Sequence, residues 1–157
     1  MLSGPVSNRH DDQVFSTPSD TSSCRESTND FSDIPMANIL IIDDEEDIRL
    51  LMQRILEDRG HEVSHFRDGY YALAAVTEDS YQIAIVDLFM PIVDGLELIP
   101  KLAAAAPDMR IVAMSGGGNA GQATNLLKAA ESFGAATTLM KPFSVADVQN
   151  LVDDLLS

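Results

Sequence analysis

Residues 38–44 are Asn-Ile-Leu-Ile-Ile-Asp-Asp, an apolar run that stops at two adjacent carboxylates. Three later segments have the same arrangement: Ile-Ala-Ile-Val-Asp at 83–87, Ile-Val-Ala-Met-Ser at 111–115 and Ala-Thr-Thr-Leu-Met-Lys at 136–141. Short, nearly continuous apolar runs are typical of strands that are buried on both faces of a parallel sheet. Ligands of such sheets bind at the carboxyl ends of the strands. We therefore expect these four strand ends to bring three carboxylates, a hydroxyl and an ammonium together.

Amphipathic helices are predicted between the strands, because apolar residues recur there at intervals of three and four. A further short strand is expected around 62–66, so that strands and helices alternate five times. Right-handed crossovers then favour an α/β fold with one doubly wound, five-stranded parallel sheet, helices on both faces and strand order 2-1-3-4-5. In the first and last helices, the residues expected to be buried are Ile48, Leu51, Met52, Ile55 and Leu56, and Val145, Val148, Leu151, Val152 and Leu155.

The N-terminal segment differs in composition from the remainder. It is rich in Ser, Thr, Asp and Asn, and its few apolar residues have no period. Such a segment buries too little apolar surface to offset the entropy that is lost on ordering. We therefore predict a disordered tail over residues 1–36 and one folded domain over residues 37–157.

Charge and composition exclude several classes of function. The 157 residues carry a formal net charge of −15, whereas proteins that bind nucleic acids cluster Lys and Arg, so we expect no direct contact with nucleic acid. No apolar stretch approaches the length of a membrane span, and the N-terminus lacks the basic start and apolar run of a secretory signal. Cys24 is the only cysteine, which rules out an intrachain disulfide. These features favour a cytoplasmic protein without membrane contact.

The polar residues at the strand ends suit magnesium-assisted phosphoryl transfer. Mg²⁺ prefers oxygen ligands, and Asp43, Asp44 and Asp87 supply three carboxylates whose mutual repulsion a cation relieves. Taken alone, Asp43-Asp44 is explained equally well as the favourable acidic start of a helix. Asp87 follows a buried strand, where a carboxylate can act as a nucleophile. Ser115 and Lys141 are expected to contact the oxygens of the transferred phosphoryl group.

Five short motifs occur in order: Ile-Ile-Asp-Asp-Glu at 41–45, Val-Asp-Leu-Phe-Met-Pro at 86–91, Asp-Gly at 94–95, Met-Ser-Gly at 114–116 and Lys-Pro-Phe at 141–143. As an ordered set, they resemble the receiver domain of bacterial two-component response regulators. The resemblance implies a flavodoxin-like fold in which Asp87 accepts a phosphoryl group from the phosphohistidine of a sensor histidine kinase or phosphotransfer protein. The chain would then be no enzyme beyond catalysing its own phosphorylation and dephosphorylation.

The same resemblance implies the remaining roles at the site. It gives Ser115 and Lys141 the contacts to the phosphoryl group that were argued above from charge. The ligands that it implies for Mg²⁺ are Asp43, Asp44, Asp87 and the backbone carbonyl of Phe89.

Signal output is expected to depend on protein–protein contact. The chain stops directly after its last predicted helix, so we expect a stand-alone receiver without an effector domain. The resemblance implies that an unidentified downstream protein binds the face formed by the fourth helix, the fifth strand and the fifth helix. One position departs from the family, which usually has Tyr or Phe three residues before the lysine, where this chain has Thr138. We therefore predict that movement around residues 116–121 replaces an aromatic switch.

Three alternative functions differ in what they require. A receiver-like interaction module that is never phosphorylated is favoured by Thr138 and opposed by the intact set of site residues. A magnesium-dependent phosphohydrolase usually needs a second acid two residues beyond the nucleophile, where this chain has Phe89. A flavin-binding module needs a phosphate-binding loop after the first strand, and the carboxylates of residues 43–46 would repel a phosphate.

Overall fold

The computed structural model describes residues 34–90, 94–116 and 119–157. The predicted disordered tail, residues 1–36, lies outside the described residues except for its last three. The predicted movement around residues 116–121 lies partly outside them, at residues 117 and 118. Within the described ranges, no helix combines the length and the apolar character that a membrane crossing requires.

Strands and helices alternate along the described chain: β1 (Asn38–Ile42), α1 (Glu46–Glu57), β2 (Glu62–Phe66), α2 (Gly69–Glu78), β3 (Ile83–Asp87), α3 (Gly95–Ala105), β4 (Arg110–Ser115), α4 (Ala120–Ser132), β5 (Thr137–Met140) and α5 (Val145–Leu156). The strands form one parallel sheet in the order β2-β1-β3-β4-β5. The predicted α/β fold and its strand order are therefore confirmed. The order reverses between β1 and β3, which is where a doubly wound sheet opens a crevice for ligands.

The central strands are buried on both faces, as their continuous apolar sequence predicts. In β1, Ile39 and Ile41 point into a core that α1 and α5 close, whereas Leu40 and Ile42 point into a core that α2, α3 and α4 close. Every residue of β3 is buried. Double burial fixes the register of the strands, because a slip by one residue would exchange the side chains of the two cores.

Two residues expected in the core are exposed instead. Leu51 in α1 is 45% exposed, because it lies on the flank of the stripe that buries Met52, Ile55 and Leu56. Val145 is 51% exposed, because it is the first residue of α5, where no preceding helical turn covers it. Helical spacing thus predicted which side of each helix faces the core but overestimated the width and length of the buried stripe.

Side-chain caps fix the start of two helices, α3 and α5, which follow β3 and β5. The carboxylate of Asp94 accepts a hydrogen bond of 3.0 Å from the Leu96 amide at the start of α3. A capping box opens α5, where Ser144 and Asp147 each accept a hydrogen bond from the backbone amide of the other. These caps satisfy amides at the helix starts and so define where the preceding loops end.

Candidate functional site

The predicted strand ends lie at one edge of the sheet. Asp87 and Ser115 are the last residues of β3 and β4, while Asp43 and Lys141 directly follow β1 and β5. Backbone hydrogen bonds continue the strand pairing to this edge. The Lys141 amide donates to the Ser115 carbonyl oxygen at 2.9 Å, and the Asp43 amide donates to the Phe66 carbonyl oxygen at 3.2 Å. The sheet itself therefore determines the spacing of these side chains.

Three carboxylates form the acidic part of the site. One oxygen from each of Asp43, Asp44 and Asp87 lies within 4.8 Å of the other two. Asp43 and Asp87 are buried, whereas Asp44 is exposed to solvent. Mg²⁺ is commonly held by one or two carboxylates and keeps several water ligands. A hard-oxygen donor set with one open side fits that ion.

The Lys141 ammonium offsets part of this negative charge. Its Nζ atom lies 2.8 Å from Oδ2 of Asp43, 3.6 Å from Oδ2 of Asp87 and 3.9 Å from Oε1 of Glu45. Burial by itself would lower the pKa of Lys141, but the hydrogen bond to Asp43 and the neighbouring negative charges together raise it. Lys141 therefore stays cationic, and the carboxylates around it still outnumber it.

The carboxyl group of Asp87 has a raised pKa. Burial, and then the negative charge of Asp43, raise this pKa from 3.8 to about 6, against the opposing effects of Lys141 and the Phe89 amide. That amide donates a hydrogen bond of 3.3 Å to Oδ1 of Asp87. A carboxylate must be ionised to act as a nucleophile, and a cation bound beside it favours the ionised form. A cation bound at this edge would therefore lower the pKa of Asp87 and favour its carboxylate form.

Ser115 contributes a buried hydroxyl group. The side chain is fully buried, and its Oγ atom has no hydrogen-bond partner among the residues that the structure describes. Leaving a buried polar group unpaired costs about 1–3 kcal/mol. Because Ser115 pairs with the end of β5 next to Lys141, the unused hydroxyl and the ammonium belong to the same edge. Both groups suit an anion bound at this edge.

Two glycines allow the backbone to pass close to these residues. A Cβ atom at Gly116 would collide with the Cβ atom of Lys141. A Cβ atom at Gly95 would collide with the backbone carbonyl oxygen of Asp87. Larger residues would therefore displace either the ammonium or the end of β3.

The Lys141–Pro142 peptide bond is cis.

Two further residues bear on the predicted switch and metal site. Thr138 is half-buried within β5, and rotation of its short side chain displaces far less volume than rotation of an aromatic ring. Phe89, whose backbone carbonyl is a predicted metal ligand, has a side chain that is 45% exposed beside Asp87. Movement of residues 116–121 stays a prediction.

Arg49 contacts the site and was not predicted from the sequence. Its Nη1 atom donates a hydrogen bond of 2.7 Å to the backbone carbonyl oxygen of Asp43. Side chains on a helix lean towards its N-terminus, so an arginine near the start of α1 reaches back to the preceding loop. The contact could have been predicted from one feature of the sequence. A long cationic side chain lies one turn into a helix that begins directly after an acidic loop.

Known proteins match this region in sequence. The sequence profile of the response regulator receiver domain matches residues 39–153, within the predicted domain of residues 37–157. The response regulator receiver protein CpdR of Brucella abortus (strain 2308) is 30% identical over 121 residues, which cover 77% of this chain and 98% of CpdR. The profile match therefore includes every strand end described above.

Solved structures match the fold. Chemotaxis protein CheY4 of Vibrio cholerae has a TM-score of 0.69 at 25% identity, covering 78% of this chain and 100% of that one. A response regulator protein from Burkholderia pseudomallei, solved with a phosphorylated aspartic acid, a calcium ion and citrate, has a TM-score of 0.65 at 30% identity. That similarity covers 73% of this chain and 65% of the other.

Proposed function

This chain belongs to the response regulator receiver domain family, and on that premise we propose that Asp87 accepts a phosphoryl group from the phosphohistidine of a sensor histidine kinase or phosphotransfer protein. The observation that carries the proposal is the position of the Asp87 carboxyl group. It is buried at a strand end, 3.6 Å from the Lys141 ammonium and within 4.8 Å of the carboxylates of Asp43 and Asp44. The phosphorylated aspartic acid in the related Burkholderia pseudomallei protein supports the same use of a carboxylate.

The proposed reaction moves a phosphoryl group from nitrogen to oxygen. An oxygen of the ionised Asp87 carboxylate attacks the phosphorus while the bond to the donor's imidazole nitrogen breaks, leaving an acyl phosphate and a free histidine. Lys141 stabilises negative charge on one phosphoryl oxygen, as a fixed cation does in other phosphoryl-transfer sites. The Ser115 hydroxyl, which lacks a partner among the described residues, donates a hydrogen bond to another.

Mg²⁺ is the proposed cofactor because the three carboxylates form a hard-oxygen donor set with an open side. When bound, this ion neutralises charge on the carboxylates and the phosphoryl oxygens. The buried Asp43 is already oriented, since its two carboxylate oxygens accept hydrogen bonds from the Glu45 amide and from Lys141. The ligands proposed for Mg²⁺ are Asp43, Asp44, Asp87 and the backbone carbonyl of Phe89.

Signal output is proposed to pass to a downstream protein that binds the surface formed by α4, β5 and α5. Ser115 ends the strand that precedes α4, and Lys141 lies in the loop that leads to α5. New contacts from these side chains to a phosphoryl group would therefore shift the loops that lead to α4 and α5. A difference in contacts between the two states is what shifts their populations. In this proposal the chain acts on no substrate other than its own carboxylate.

Intact mass spectrometry after incubation with phosphoramidate and Mg²⁺ tests the proposal, because this small donor has the phosphorus–nitrogen bond of phosphohistidine. The wild-type chain should gain the mass of one phosphoryl group, and Asp87→Ala should gain none. Asp79→Ala, which removes an exposed carboxylate at the end of α2, should behave as wild type. No gain by the wild type, or an equal gain by Asp87→Ala, would contradict the proposal.

A receiver-like interaction module that is never phosphorylated is the second candidate. The half-buried Thr138 favours it, because the usual aromatic residue is missing from β5. The same mass measurement separates the two functions, since an interaction module would gain no mass even with Mg²⁺ present.

A further inference from the structure

Arg49 is the fourth residue of α1, and its guanidinium group contacts the loop that holds Asp43. The residue is half-buried, and its Nη1 atom donates a hydrogen bond of 2.7 Å to the Asp43 carbonyl oxygen. Its Nε atom is buried and has no hydrogen-bond partner among the described residues. Hydrogen bonds from a charged donor are shorter and stronger than those between neutral groups. This contact is therefore a specific restraint on the backbone of the acidic loop.

Asp43 is held from three directions, and each contact restrains a different part of it. Its Oδ1 accepts from the Glu45 amide at 2.9 Å, its Oδ2 from Lys141 at 2.8 Å, and its carbonyl oxygen from Arg49 at 2.7 Å. Of these three, only the contact from Arg49 holds the peptide unit that joins Asp43 to Asp44. The orientation of that peptide unit determines where the Asp44 carboxylate lies relative to Asp43 and Asp87.

We propose that Arg49 is a positioning residue for the divalent-cation site, because it fixes the peptide unit that keeps the Asp43, Asp44 and Asp87 carboxylates within reach of one ion. The inference rests on the proposed function and adds to it a residue that touches neither the ion nor the phosphoryl group. Arg49 acts through the backbone of Asp43, and the planar guanidinium supplies donors in a fixed direction.

A purely electrostatic role for Arg49 predicts the opposite result. Like charges repel, so removing a cation from the neighbourhood of a cation site should tighten the binding of Mg²⁺. Removing a group that orients the ligands should weaken it, and such losses commonly reduce metal affinity by about 10- to 100-fold. The direction of the change in affinity therefore distinguishes positioning from simple charge.

Isothermal titration of Mg²⁺ into the unphosphorylated full-length chain provides the test. Arg49→Gln should weaken Mg²⁺ binding by about tenfold or more. Arg49→Lys should give an intermediate affinity, because lysine keeps the charge but loses the planar fork of donors. Melting curves recorded in EDTA establish that each variant is folded at the temperature of the titration.

Two matched variants separate positioning from other effects. Arg54→Gln removes the same charge from an exposed position of α1, and we expect its Mg²⁺ affinity to stay within about twofold of wild type. Arg59→Gln disrupts the 2.7 Å ion pair with Asp153 and should lower the melting temperature without altering Mg²⁺ affinity. A general loss of stability would therefore not imitate the effect at Arg49.

Affinity of Arg49→Gln equal to or tighter than wild type would overturn the positioning role, and so would equal weakening in Arg59→Gln. If Arg49→Gln does not fold, Arg49→Lys is judged by the same criteria. A wild-type chain that gains phosphoryl mass while Arg49→Gln binds Mg²⁺ normally leaves the proposed function intact and removes only the role of Arg49. A wild-type chain that binds no Mg²⁺ contradicts both.

Discussion

The two edges of the sheet each contain a partly buried ion pair, but the pairs differ in their surroundings. At the carboxyl edge, the Lys141 ammonium lies within 4 Å of three carboxylates, those of Asp43, Glu45 and Asp87. At the opposite edge, the Arg59 guanidinium donates to the Asp153 carboxylate at 2.7 Å and joins the end of α1 to α5. The first arrangement leaves negative charge in excess, whereas the second pairs one cation with one anion.

This difference separates a binding site from a structural contact. Buried charges of one sign destabilise a fold unless a partner neutralises them. A matched pair already contains its partner and needs no ligand. A cluster with excess negative charge attracts a further cation, because its own side chains do not neutralise that charge. We expect the two edges to respond differently to loss of their cation, to Mg²⁺ and to pH.

The largest difference should follow loss of the cation at the carboxyl edge. In Lys141→Met, the buried carboxylates of Asp43 and Asp87 face each other without the ammonium, and removing one partner of a buried ion pair costs about 3 kcal/mol. We expect the free energy of unfolding, measured with urea near pH 8 without metal, to fall by about that amount. Mg²⁺ should recover much of the loss, because it restores positive charge between the carboxylates.

Arg59→Met is the matched substitution at the opposite edge. Its partner Asp153 is more exposed than Asp43, so the expected loss is smaller, about 1–2 kcal/mol. Mg²⁺ should not reverse it, because the only cluster of metal-ligating side chains among the described residues, that of Asp43, Asp44 and Asp87, lies at the other edge. Equal recovery of both variants by Mg²⁺, or recovery of neither, would remove the distinction between the edges.

The next effect concerns ionisation of Asp87. Because its pKa is raised to about 6, the folded chain holds this proton more tightly than the unfolded chain, in which the pKa is 3.8. Stability from this group therefore declines as the pH rises through that interval, and the full penalty of about 2–3 kcal/mol is present above it. Asp87→Asn cannot ionise, so without metal it should be more stable than wild type near pH 7.5 and equally stable below about pH 4.

Urea unfolding at both pH values measures this difference directly. Asp79→Asn removes an exposed carboxylate and should match wild type at each pH, since no buried charge is relieved. If Asp87→Asn were no more stable than wild type near neutral pH, the excess negative charge at the carboxyl edge would have no energetic consequence.

The sequence was sufficient to predict the strand order and the gathering of Asp43, Asp87, Ser115 and Lys141. Continuous apolar strands fix both the register and the edge at which the following polar residues emerge. Predicting this edge needs no knowledge of side-chain conformations, because backbone pairing alone determines where each strand ends. The exposure of Leu51 shows the limit of this reasoning. Apolar spacing predicts which side of a helix faces the core, but not how wide a strip of that side the core covers.

Contacts that depend on long side chains or close backbone approach were beyond sequence reasoning. Arginine has many rotamers, and only the folded position of the acidic loop selects the one that brings Arg49 to the Asp43 carbonyl oxygen. The approach of Gly116 to Lys141 likewise depends on how the ends of β4 and β5 pack. Neither contact leaves a periodic pattern in the chain.

The smallest expected effect lies at the opposite edge and has the reverse dependence on pH. His61 is buried there, and its Nδ1 atom accepts a hydrogen bond of 3.3 Å from the Ala37 amide. Burial lowers the pKa of His61, opposed by the charge of Asp153 and aided by that of Arg59. The unfolded chain therefore takes up a proton that the folded chain resists, so this contribution is complete above about pH 6.5 and is lost as the pH falls.

We expect the free energy of unfolding of wild type to fall by more than that of His61→Gln between about pH 7.5 and pH 5.5, as measured by urea unfolding. His65→Gln is the control, because this histidine is only half-buried within β2. The contribution of Asp87 to the pH dependence of stability is the same in wild type, His61→Gln and His65→Gln, so it cancels in the comparison. Identical pH profiles for wild type and His61→Gln would show that the histidine is not held neutral by burial. A steeper loss in wild type would mean that acid weakens one edge of the sheet while it relieves the other.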